Sequence, residues 1–337
     1  MQENWQKIIA AFSTDKSFVL ASIIATRGST YRKTGTMMLI SEQGECTGLL
    51  SGGCLEADIS LHAKNVLASQ QKQILTYDLK ADAELLWGLG LGCDGAIDIL
   101  LQPLLPENNH LGFGQLLEAL QQGKTGFYCQ QVSELGDAQA WFIDSQLDDK
   151  TALNSQLTTL AVDLAADELL ITPITPVFSL LLCGAGPDAV PVVDMAHQMG
   201  WKITLQDHRP TNLNQPAFAQ CFDKRKLRAE NVQREDFIGF NGMIIMTHNL
   251  SSDEILLKHA LDANIGYIGL LGPSGRRDKL LNNLALTASD VKGQIFGPIG
   301  LDIGGRSEQA IALSICAEIQ QYISQQYQQM SFKPWRQ

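Results

Sequence analysis

The segment "LLSGGCLEADI", residues 49–59, places a cysteine directly after two glycines and before an amphipathic stretch. Gly52 and Gly53 leave room for a ligand or another backbone to come close, and Glu56 supplies a nearby carboxylate. A cysteine at the start of a helix lies in the positive field of the helix dipole, which favours its thiolate. Cys54 therefore has three interpretations: a nucleophile, a soft ligand for a metal or sulfur, or a small residue that fills a tight turn.

A second cysteine has similar neighbours. Cys93 follows three glycines in "GLGLGCDG", residues 88–95. An acyl-transfer enzyme built on Cys54 or Cys93 needs a general base, and none of the six histidines lies in a familiar nucleophile motif. The letters "SGGC" do not match G-x-S-x-G either. The nucleophile interpretation is thus weakened, whereas the ligand and packing interpretations stay open.

The segment "GAGPDA", residues 184–189, fits the dinucleotide fingerprint G-x-G-x-x-A. It follows an apolar run and opens a helical pattern, and Asp207 ends the next predicted strand about 20 residues further on. Gly184 allows a tight turn, Gly186 allows a pyrophosphate to approach the helix N-terminus, and Asp207 accepts hydrogen bonds from ribose hydroxyls. The alternative is a Rossmann-type sheet whose nucleotide site is vestigial.

A loop near the N-terminus carries cations among small residues. "ATRGSTYRKTG", residues 25–35, contains Arg27, Gly28, Arg32 and Lys33 in an otherwise acidic chain. Backbone amides and arginines in a glycine-containing loop can hold a phosphate. A solvated hairpin turn explains the same composition equally well.

Two loops in the second half have the same character. "GPSGRRDK" (272–279) and "GPIGLDIGGRSE" (297–308) each come after a predicted strand and before a predicted helix. Arg276, Arg306 and His248, which ends another predicted strand, are therefore expected at the carboxyl edge of a parallel sheet, where ligands bind.

The elements that position these residues differ between the two halves. The first half is predicted to be an α+β domain over residues 1–171, with a short linker at 172–177 that contains two prolines. Its segment 105–171 is poorly assigned. Apolar runs and helical spacing predict five strands and a helix before that segment, and a helix and two strands within it: strands 18–26, 37–41, 47–51, 73–79 and 95–101, a helix from residue 54, a helix at 113–122, and strands at 125–132 and 139–144.

The second half, residues 178–328, alternates strands with helices. This pattern predicts a Rossmann-like doubly wound parallel sheet, so the chain as a whole belongs to the α/β class. The predicted strands cover 179–186, 201–207, 242–248 and 265–272, and the predicted helices cover 187–200, a segment that opens with a Ser251–Glu254 capping box, and 307–328.

Composition limits the classes of function. The net charge of −11 over 337 residues argues against non-specific binding to nucleic acid or to an anionic membrane. No apolar run approaches the roughly 20 residues of a membrane span, and the first residues lack the features of a signal peptide. Seven cysteines without regular spacing do not form a disulfide framework, which predicts a reducing, cytoplasmic location.

Taken together, these segments resemble the XdhC/CoxI family, accessory factors for xanthine dehydrogenase and carbon monoxide dehydrogenase. The resemblance extends through both halves, apart from about residues 105–175. The similar segments are "ATRGSTYRKTGTMML", "GLLSGGCLEADI", "GLGLGCDGAIDILLQP", "LLCGAGPDAV", "YIGLLGPSGRRDKL" and "GPIGLDIGGRSEQAIALSICAEI".

The resemblance implies a chaperone that binds the molybdenum cofactor, as molybdopterin or its dinucleotide form, without holding it permanently. Such a protein assists sulfuration and delivers the cofactor to a molybdenum hydroxylase, and it has no catalytic turnover of its own. The implied partners are that client enzyme, a sulfur donor, a nucleotidyltransferase and a second copy of the chain. Cys54 suits a soft contact to the metal centre. The predicted cofactor-binding residues are Arg27, Gly28, Arg32, Gly52, Gly53, Cys54, Glu56, Cys93, Gly184, Gly186, Asp207, His248, Arg276 and Arg306.

The chain departs from the family pattern at two places. Pro187 stands where the family commonly has histidine, followed by Asp188, whose charge would repel a pyrophosphate, and the second cysteine segment has Asp94 where the family usually has glycine. The main alternative function is an NAD(P)-dependent oxidoreductase that uses the Rossmann-like domain, with Cys54 or His248 in the chemistry. A scaffold that only bridges partners is a third possibility.

Overall fold

The computed structural model describes residues 5–78, 95–133, 136–145, 169–287 and 289–328. They fall into two compact units, which divide between Pro176 and Val177 and are called unit 1 and unit 2 below. The predicted fold class is confirmed, because the chain is a mixed α/β protein and unit 2 is built on a parallel sheet.

Unit 1 contains a five-stranded antiparallel sheet with the strand order β3-β2-β1-β5-β4. Alternate residues of the central strand β1 are buried against one face of helix α2, whose buried positions Ile59, Ala63 and Val66 follow the helical repeat. In chain order, the strands of this sheet and the helices of the same part of unit 1 are α1 (Trp5–Ala11), β1 (Phe18–Arg27), β2 (Met37–Ser41), β3 (Cys46–Thr47), α2 (Glu56–Ser69), β4 (Gln73–Asp78), β5 (Ala96–Leu104) and α3 (Phe113–Gln121).

A second, three-stranded antiparallel sheet belongs to the same unit and has the order β7-β6-β8. Its strands are β6 (Gly126–Gln131), β7 (Ala140–Asp144) and β8 (Leu169–Ile174). A buried amide joins the two sheets: Gln130 donates from Nε2 to Ser22 Oγ at 3.0 Å and to Gln102 Oε1 at 2.9 Å.

Strand β8 includes residues 172–174, which the sequence predicts as linker. Pro173 misled that prediction, because proline is expected to end a strand. It is tolerated here because β8 lies at the edge of its sheet, where one side of the strand makes no ladder hydrogen bonds.

Unit 2 is a six-stranded parallel sheet with the order β11-β10-β9-β12-β13-β14. This is the Rossmann order 3-2-1-4-5-6, in which the direction of winding reverses between the first and fourth strands. The elements of unit 2 are β9 (Ser179–Cys183), α4 (Ala189–Gln198), β10 (Lys202–Asp207), α5 (Pro210–Leu213), β11 (Asp223–Lys226), β12 (Gly242–Ile245), α6 (Leu250–Asp262), β13 (Tyr267–Leu270), α7 (Ser274–Asn283), β14 (Ile295–Phe296) and α8 (Glu308–Gln328).

Both faces of this sheet are buried. Leu180 and Leu182 of β9 belong to the core that includes residues of α4 and α8, whereas Leu181 and Cys183 belong to the core with residues of α6 and α7. The continuous apolar runs in the sequence are therefore explained, since a parallel strand is covered by helices on both sides.

Three local predictions are wrong. The segment predicted as a strand at 47–51 leaves the sheet after Thr47. Helix α6 is capped by Asn249, whose side chain accepts from Ser252 N at 3.0 Å, so the predicted Ser251–Glu254 capping box does not form the cap. Helix α4 begins at Ala189, which places Pro187 before the cap residue Asp188 instead of at the first helical position.

Gly184 directly follows β9, at the point where the winding reverses. It has φ +119°, and a Cβ atom there would collide with the carbonyl oxygen of Met246. We expect Gly184→Ala to lower the free energy of unfolding by about 3 kcal/mol, from backbone strain and overpacking together. Chemical denaturation measures the change.

Gly275 in α7 is the matched control, because a Cβ atom there meets no atom within 4 Å. Gly275→Ala should leave stability unchanged or raise it by up to about 1 kcal/mol. Equal stability of the Gly184 and Gly275 variants would contradict the close approach of Gly184 to the Met246 carbonyl oxygen.

Candidate functional site

Three glycine-containing segments that the sequence singles out meet in unit 1 at the end of β1. A Cβ atom at Gly52 would lie 3.6 Å from the ring of Tyr31, so the loop at 48–55 is in contact with the loop at 28–36. Gly95 packs against the backbone carbonyls of Arg27 and Ser29, and a Cβ atom there would collide with both. The end of the second glycine–cysteine segment thus adjoins the first cationic loop.

Glu56 shapes the loop that carries Cys54. Its Oε1 atom accepts the amides of Leu50 at 3.0 Å and Ser51 at 2.9 Å, and its Oε2 atom accepts the Ser51 hydroxyl. Ser51 Oγ in turn accepts Leu55 N at 2.8 Å. Burial raises the pKa of Glu56, but the hydrogen bonds lower it by a larger amount. The pKa of Glu56 is therefore below its ordinary value. Glu56 therefore orients the loop through its hydrogen bonds, and its direct contact with a cofactor stays a prediction.

Gly52, Gly53 and Cys54 are displayed outward by this anchored loop. The Cys54 side chain is exposed, and nothing lies within 4 Å of a Cβ atom placed on Gly53. Helix α2 begins two residues after Cys54, and its cap residue Leu55 makes no side-chain capping bond. The thiol therefore lies just before the helix, close to the predicted position at its start, and it is open to a ligand.

The cations of this region have different surroundings. Arg27 uses both terminal nitrogens to bind the buried Asp98, at 2.6 and 3.0 Å, and this bond raises the pKa of Arg27. Gly28 follows Arg27 in the turn, with a positive φ of 68°. The Arg32 guanidinium lies 5.5 Å from the ring centroid of Tyr31, the side chain that contacts the Cys54 loop. Arg32 is thus a cation close to that loop, and Arg27 is paired with Asp98.

In unit 2, Asp207 is bound by its own chain. Its carboxylate accepts the Ala185 amide at 2.8 Å, the Arg209 amide at 2.8 Å, and Arg209 Nε and Nη2 at 3.0 and 2.7 Å. Burial alone would raise the pKa of Asp207, but the hydrogen bonds from Arg209 and the Ala185 amide outweigh burial and lower it to about 2. The predicted ribose acceptor is therefore occupied.

A carboxylate also covers the glycine turn. Asp188 Oδ1 lies so close to Gly186 that a Cβ atom there would collide with it, and Asp188 Oδ2 is 2.9 Å from His248 Nε2. His248 has φ +60°, a left-handed conformation. An acidic side chain thus occupies the start of α4, where the fingerprint predicts a pyrophosphate.

Three predicted residues remain: Arg276, Arg306 and Cys93. Arg276 binds the buried Asp253 through Nε at 3.0 Å and Nη2 at 2.6 Å, and Thr247 Oγ1 donates to the same carboxylate. Arg306 is exposed in the loop before α8. Cys93 lies outside the described residues.

Three residues that the predicted site residues do not include organise these sites: Asp98, Arg209 and Asp253. Arg209 had a detectable signal, since it lies two residues after the predicted acceptor at a strand end. Asp98 and Asp253 had none, because each binds an arginine far away in the chain.

Comparisons with known proteins identify the family of this chain. The model of the XdhC and CoxI family matches residues 11–78, and that of the XdhC Rossmann domain matches residues 180–319, which together span more than half of the chain. The chain belongs to the XdhC and CoxI family. The two matched ranges contain every predicted site residue except Cys93, and they include the loop of Cys54 and the Gly184 turn.

Relatives are similar over nearly the whole length. A Bacillus subtilis protein, named as a probable xanthine dehydrogenase subunit, is 29% identical over 94% of this chain and 96% of its own length. The Escherichia coli molybdenum cofactor insertion chaperone PaoD is 24% identical over 94% and 92%. The crystal structure of a xanthine dehydrogenase from Bacillus halodurans is 29% identical and superposes with a TM-score of 0.81, covering 98% of both chains.

Two kinds of feature are absent from the described residues. No cluster of three or more His, Cys, Asp or Glu side chains in that part of the chain is arranged to hold a metal ion. Across the same residues, no helix is both long and apolar enough to cross a membrane.

The anchoring role of Glu56 leads to a first prediction for the site. We expect Glu56→Ala to speed hydrogen exchange at the Leu50 and Ser51 amides at least tenfold, because both lose their acceptor. Glu56→Gln keeps one acceptor oxygen and should have a smaller effect. Glu45→Ala, at an exposed position in the same unit, is the control. Unchanged exchange in Glu56→Ala would show that other contacts hold the loop.

The lowered pKa of Asp207 predicts an acid-sensitive contribution to stability. Because the pKa in the folded state is about 2 and the ordinary value is 3.8, the contribution is present above about pH 4 and is lost as the pH falls towards 2. Asp207→Asn should therefore be less stable than the wild type at pH 5, and the difference should shrink at pH 2.5. Thermal unfolding at the two pH values measures it. Asp223→Asn, at an exposed carboxylate, should show no such convergence.

Proposed function

We propose that this protein is an accessory chaperone that binds the molybdenum cofactor and delivers it to a xanthine dehydrogenase-type molybdenum hydroxylase. The observation that carries the proposal is the meeting of the loops at 28–36 and 48–55 beside the exposed Cys54. The Escherichia coli relative, named as a molybdenum cofactor insertion chaperone, aligns with 94% of the chain and adds support.

The chemistry of this loop pair suits such a cargo. The molybdenum cofactor combines a sulfur-coordinated metal with a phosphate, and a thiolate is a soft partner for the metal–sulfur end. Cys54 is exposed next to the open side of Gly53, and Arg32 lies in the contacting loop. We assign Cys54 as the soft contact and Arg32 as the cation that favours the anionic cargo. Glu56 keeps the loop in the shape that presents the thiol.

The finer parts of the proposal concern partners. A cofactor held at an exposed thiol remains accessible to a sulfur donor, and we propose that sulfuration takes place on the bound cofactor before delivery. The dinucleotide form would come from a nucleotidyltransferase. We further propose that the protein acts as a homodimer in the cytoplasm.

Two observations make the nicotinamide-dependent oxidoreductase the less favoured function. Asp207, the residue that would bind the ribose diol, is saturated by Arg209 and the Ala185 amide. Asp188 lies at the position where the pyrophosphate would approach Gly186. Neither observation bears on the site in unit 1.

The experiment is a reconstitution under anaerobic, reducing conditions. The protein is incubated with molybdopterin loaded with molybdenum, and retention on gel filtration and activation of a cofactor-free xanthine dehydrogenase-type enzyme are measured. We expect the wild type to retain the cofactor and Cys54→Ala to retain about tenfold less, which corresponds to roughly 1.4 kcal/mol.

Cys46→Ala is the matched control, because Cys46 is another exposed cysteine of the same unit. It should behave as the wild type. Failure of the wild-type protein to bind molybdopterin, together with tight binding of NAD, would reverse the preference between the two functions. Full activity of Cys54→Ala would remove the thiol from the site and leave the chaperone role standing.

A further inference from the structure

Two arginines of unit 2 use the same pair of nitrogens, Nε and Nη2, to bind buried aspartates, Arg209 through both oxygens of Asp207 and Arg276 through Asp253 Oδ2 alone. Asp207 binds Arg209 through Nε at 3.0 Å and Nη2 at 2.7 Å, and Asp253 binds Arg276 through Nε at 3.0 Å and Nη2 at 2.6 Å. Both aspartates are buried, whereas the arginine side chains are 46% and 25% exposed. Each carboxylate therefore holds one edge of a guanidinium whose remainder reaches the surface.

This side-on arrangement leaves a second donor edge. A guanidinium has five N–H groups in a planar fork, and the aspartate contacts occupy Nε and part of Nη2. The Nη1 hydrogens and one Nη2 hydrogen point away from the carboxylate, and this pair of nitrogens matches the oxygens of a phosphate. Arg27 differs from these two arginines, because both of its terminal nitrogens donate to Asp98.

The two arginines flank the Gly184 turn. Asp207 ends β10 and Arg276 lies in the first turn of α7, directly after β13, while β9 and β12 run between these two strands. Neighbouring strands are about 4.8 Å apart, so three spacings separate the ends of β10 and β13 by roughly 14 Å. Both arginines thus lie at the carboxyl edge, where open α/β sheets bind ligands.

An additional positive charge lies near Arg209. Lys226 is the register partner of Asp207 in the parallel pair β10–β11, and register partners project to the same face of a sheet. Lys226 is exposed, and Arg209 already neutralises Asp207. At the turn between the two arginines, by contrast, the Asp188 carboxylate disfavours an anion.

We propose that Arg209 and Arg276 are the two arms of an anion clamp in unit 2, which binds a nucleotide that carries phosphate groups at two separated positions. Arg209 with Lys226 takes a phosphate on the ribose side, and Arg276 takes the other anionic group. The clamp replaces ribose-diol recognition by Asp207. It concerns unit 2 alone, so it stands or falls independently of cofactor delivery by the loops of unit 1.

Binding of three probes to the full-length protein tests the clamp by calorimetry at low salt: adenosine, adenosine 5′-monophosphate and adenosine 2′,5′-bisphosphate. We expect the bisphosphate to bind at least tenfold more tightly than the monophosphate, and adenosine to bind weakest. Arg209→Lys and Arg276→Lys keep a cation beside each aspartate but lose the outward donor edge, so each should weaken bisphosphate binding about tenfold.

Arg225→Lys is the matched control, because Arg225 spends Nε and Nη1 on Asp223 and the Asp236 carbonyl. It should bind the bisphosphate as the wild type does. Should the arginine variants unfold, Lys226→Glu supplies the test from an exposed position, with Lys258→Glu in α6 as its control. Lys226→Glu should weaken bisphosphate binding about tenfold and Lys258→Glu should not.

The clamp is overturned if the wild type binds the bisphosphate no better than the monophosphate. It is also overturned if Arg209→Lys, Arg276→Lys and Lys226→Glu all bind as the wild type. Molybdopterin retention in the same variants separates the two proposals. Loss of bisphosphate binding in these variants with molybdopterin retained supports two independent sites. A wild type that retains molybdopterin but shows no preference for the bisphosphate refutes the clamp alone, and a wild type that prefers the bisphosphate but does not retain molybdopterin refutes cofactor delivery alone.

Discussion

A carboxylate that accepts hydrogen bonds from an adjoining loop is the interaction on which both candidate sites depend. Glu56 binds the amides of the Cys54 loop, Asp98 binds Arg27 at the end of β1, Asp207 binds the turn after β9, and Asp253 binds Arg276. A carboxylate out of water is costly unless its oxygens are satisfied, so each one selects the loop conformation that satisfies it. Glycines then supply the close approaches that these conformations require.

The same interaction gives the two units different surfaces. In unit 1 the carboxylate lies beneath the loop, and its hydrogen bonds leave Cys54 exposed. In unit 2 Asp207 accepts hydrogen bonds from the chain itself, and the Asp188 carboxylate lies where a dinucleotide motif expects the pyrophosphate. A fingerprint of glycines therefore predicts the turn and the strand order correctly, because these follow from backbone sterics, whereas the occupant of the turn depends on side chains outside the fingerprint.

Much of the fold could be predicted from the sequence, since apolar periodicity and glycine turns are local signals. The alternation of strands and helices from Ser179 onward predicted the parallel sheet, and the spacing of Ile59, Ala63 and Val66 predicted α2. What failed depended on partners that the local sequence does not contain. Pro173 is interpreted as a strand breaker until β8 is known to be an edge strand, and the sequence does not show that Glu56 accepts the Leu50 and Ser51 amides. The bonds of Arg27 and Arg276 to distant aspartates were equally hidden.

The buried amide of Gln130 has a consequence for how unit 1 assembles. Its partners Ser22 and Gln102 lie on two strands of the other sheet, and all three side chains are fully buried. A slip of β6 by one residue would turn the amide to the opposite face and leave both partners unsatisfied in an apolar interior. The two hydrogen bonds of Gln130 thus favour one register of β6 and tie it to β1 and β5 of the other sheet.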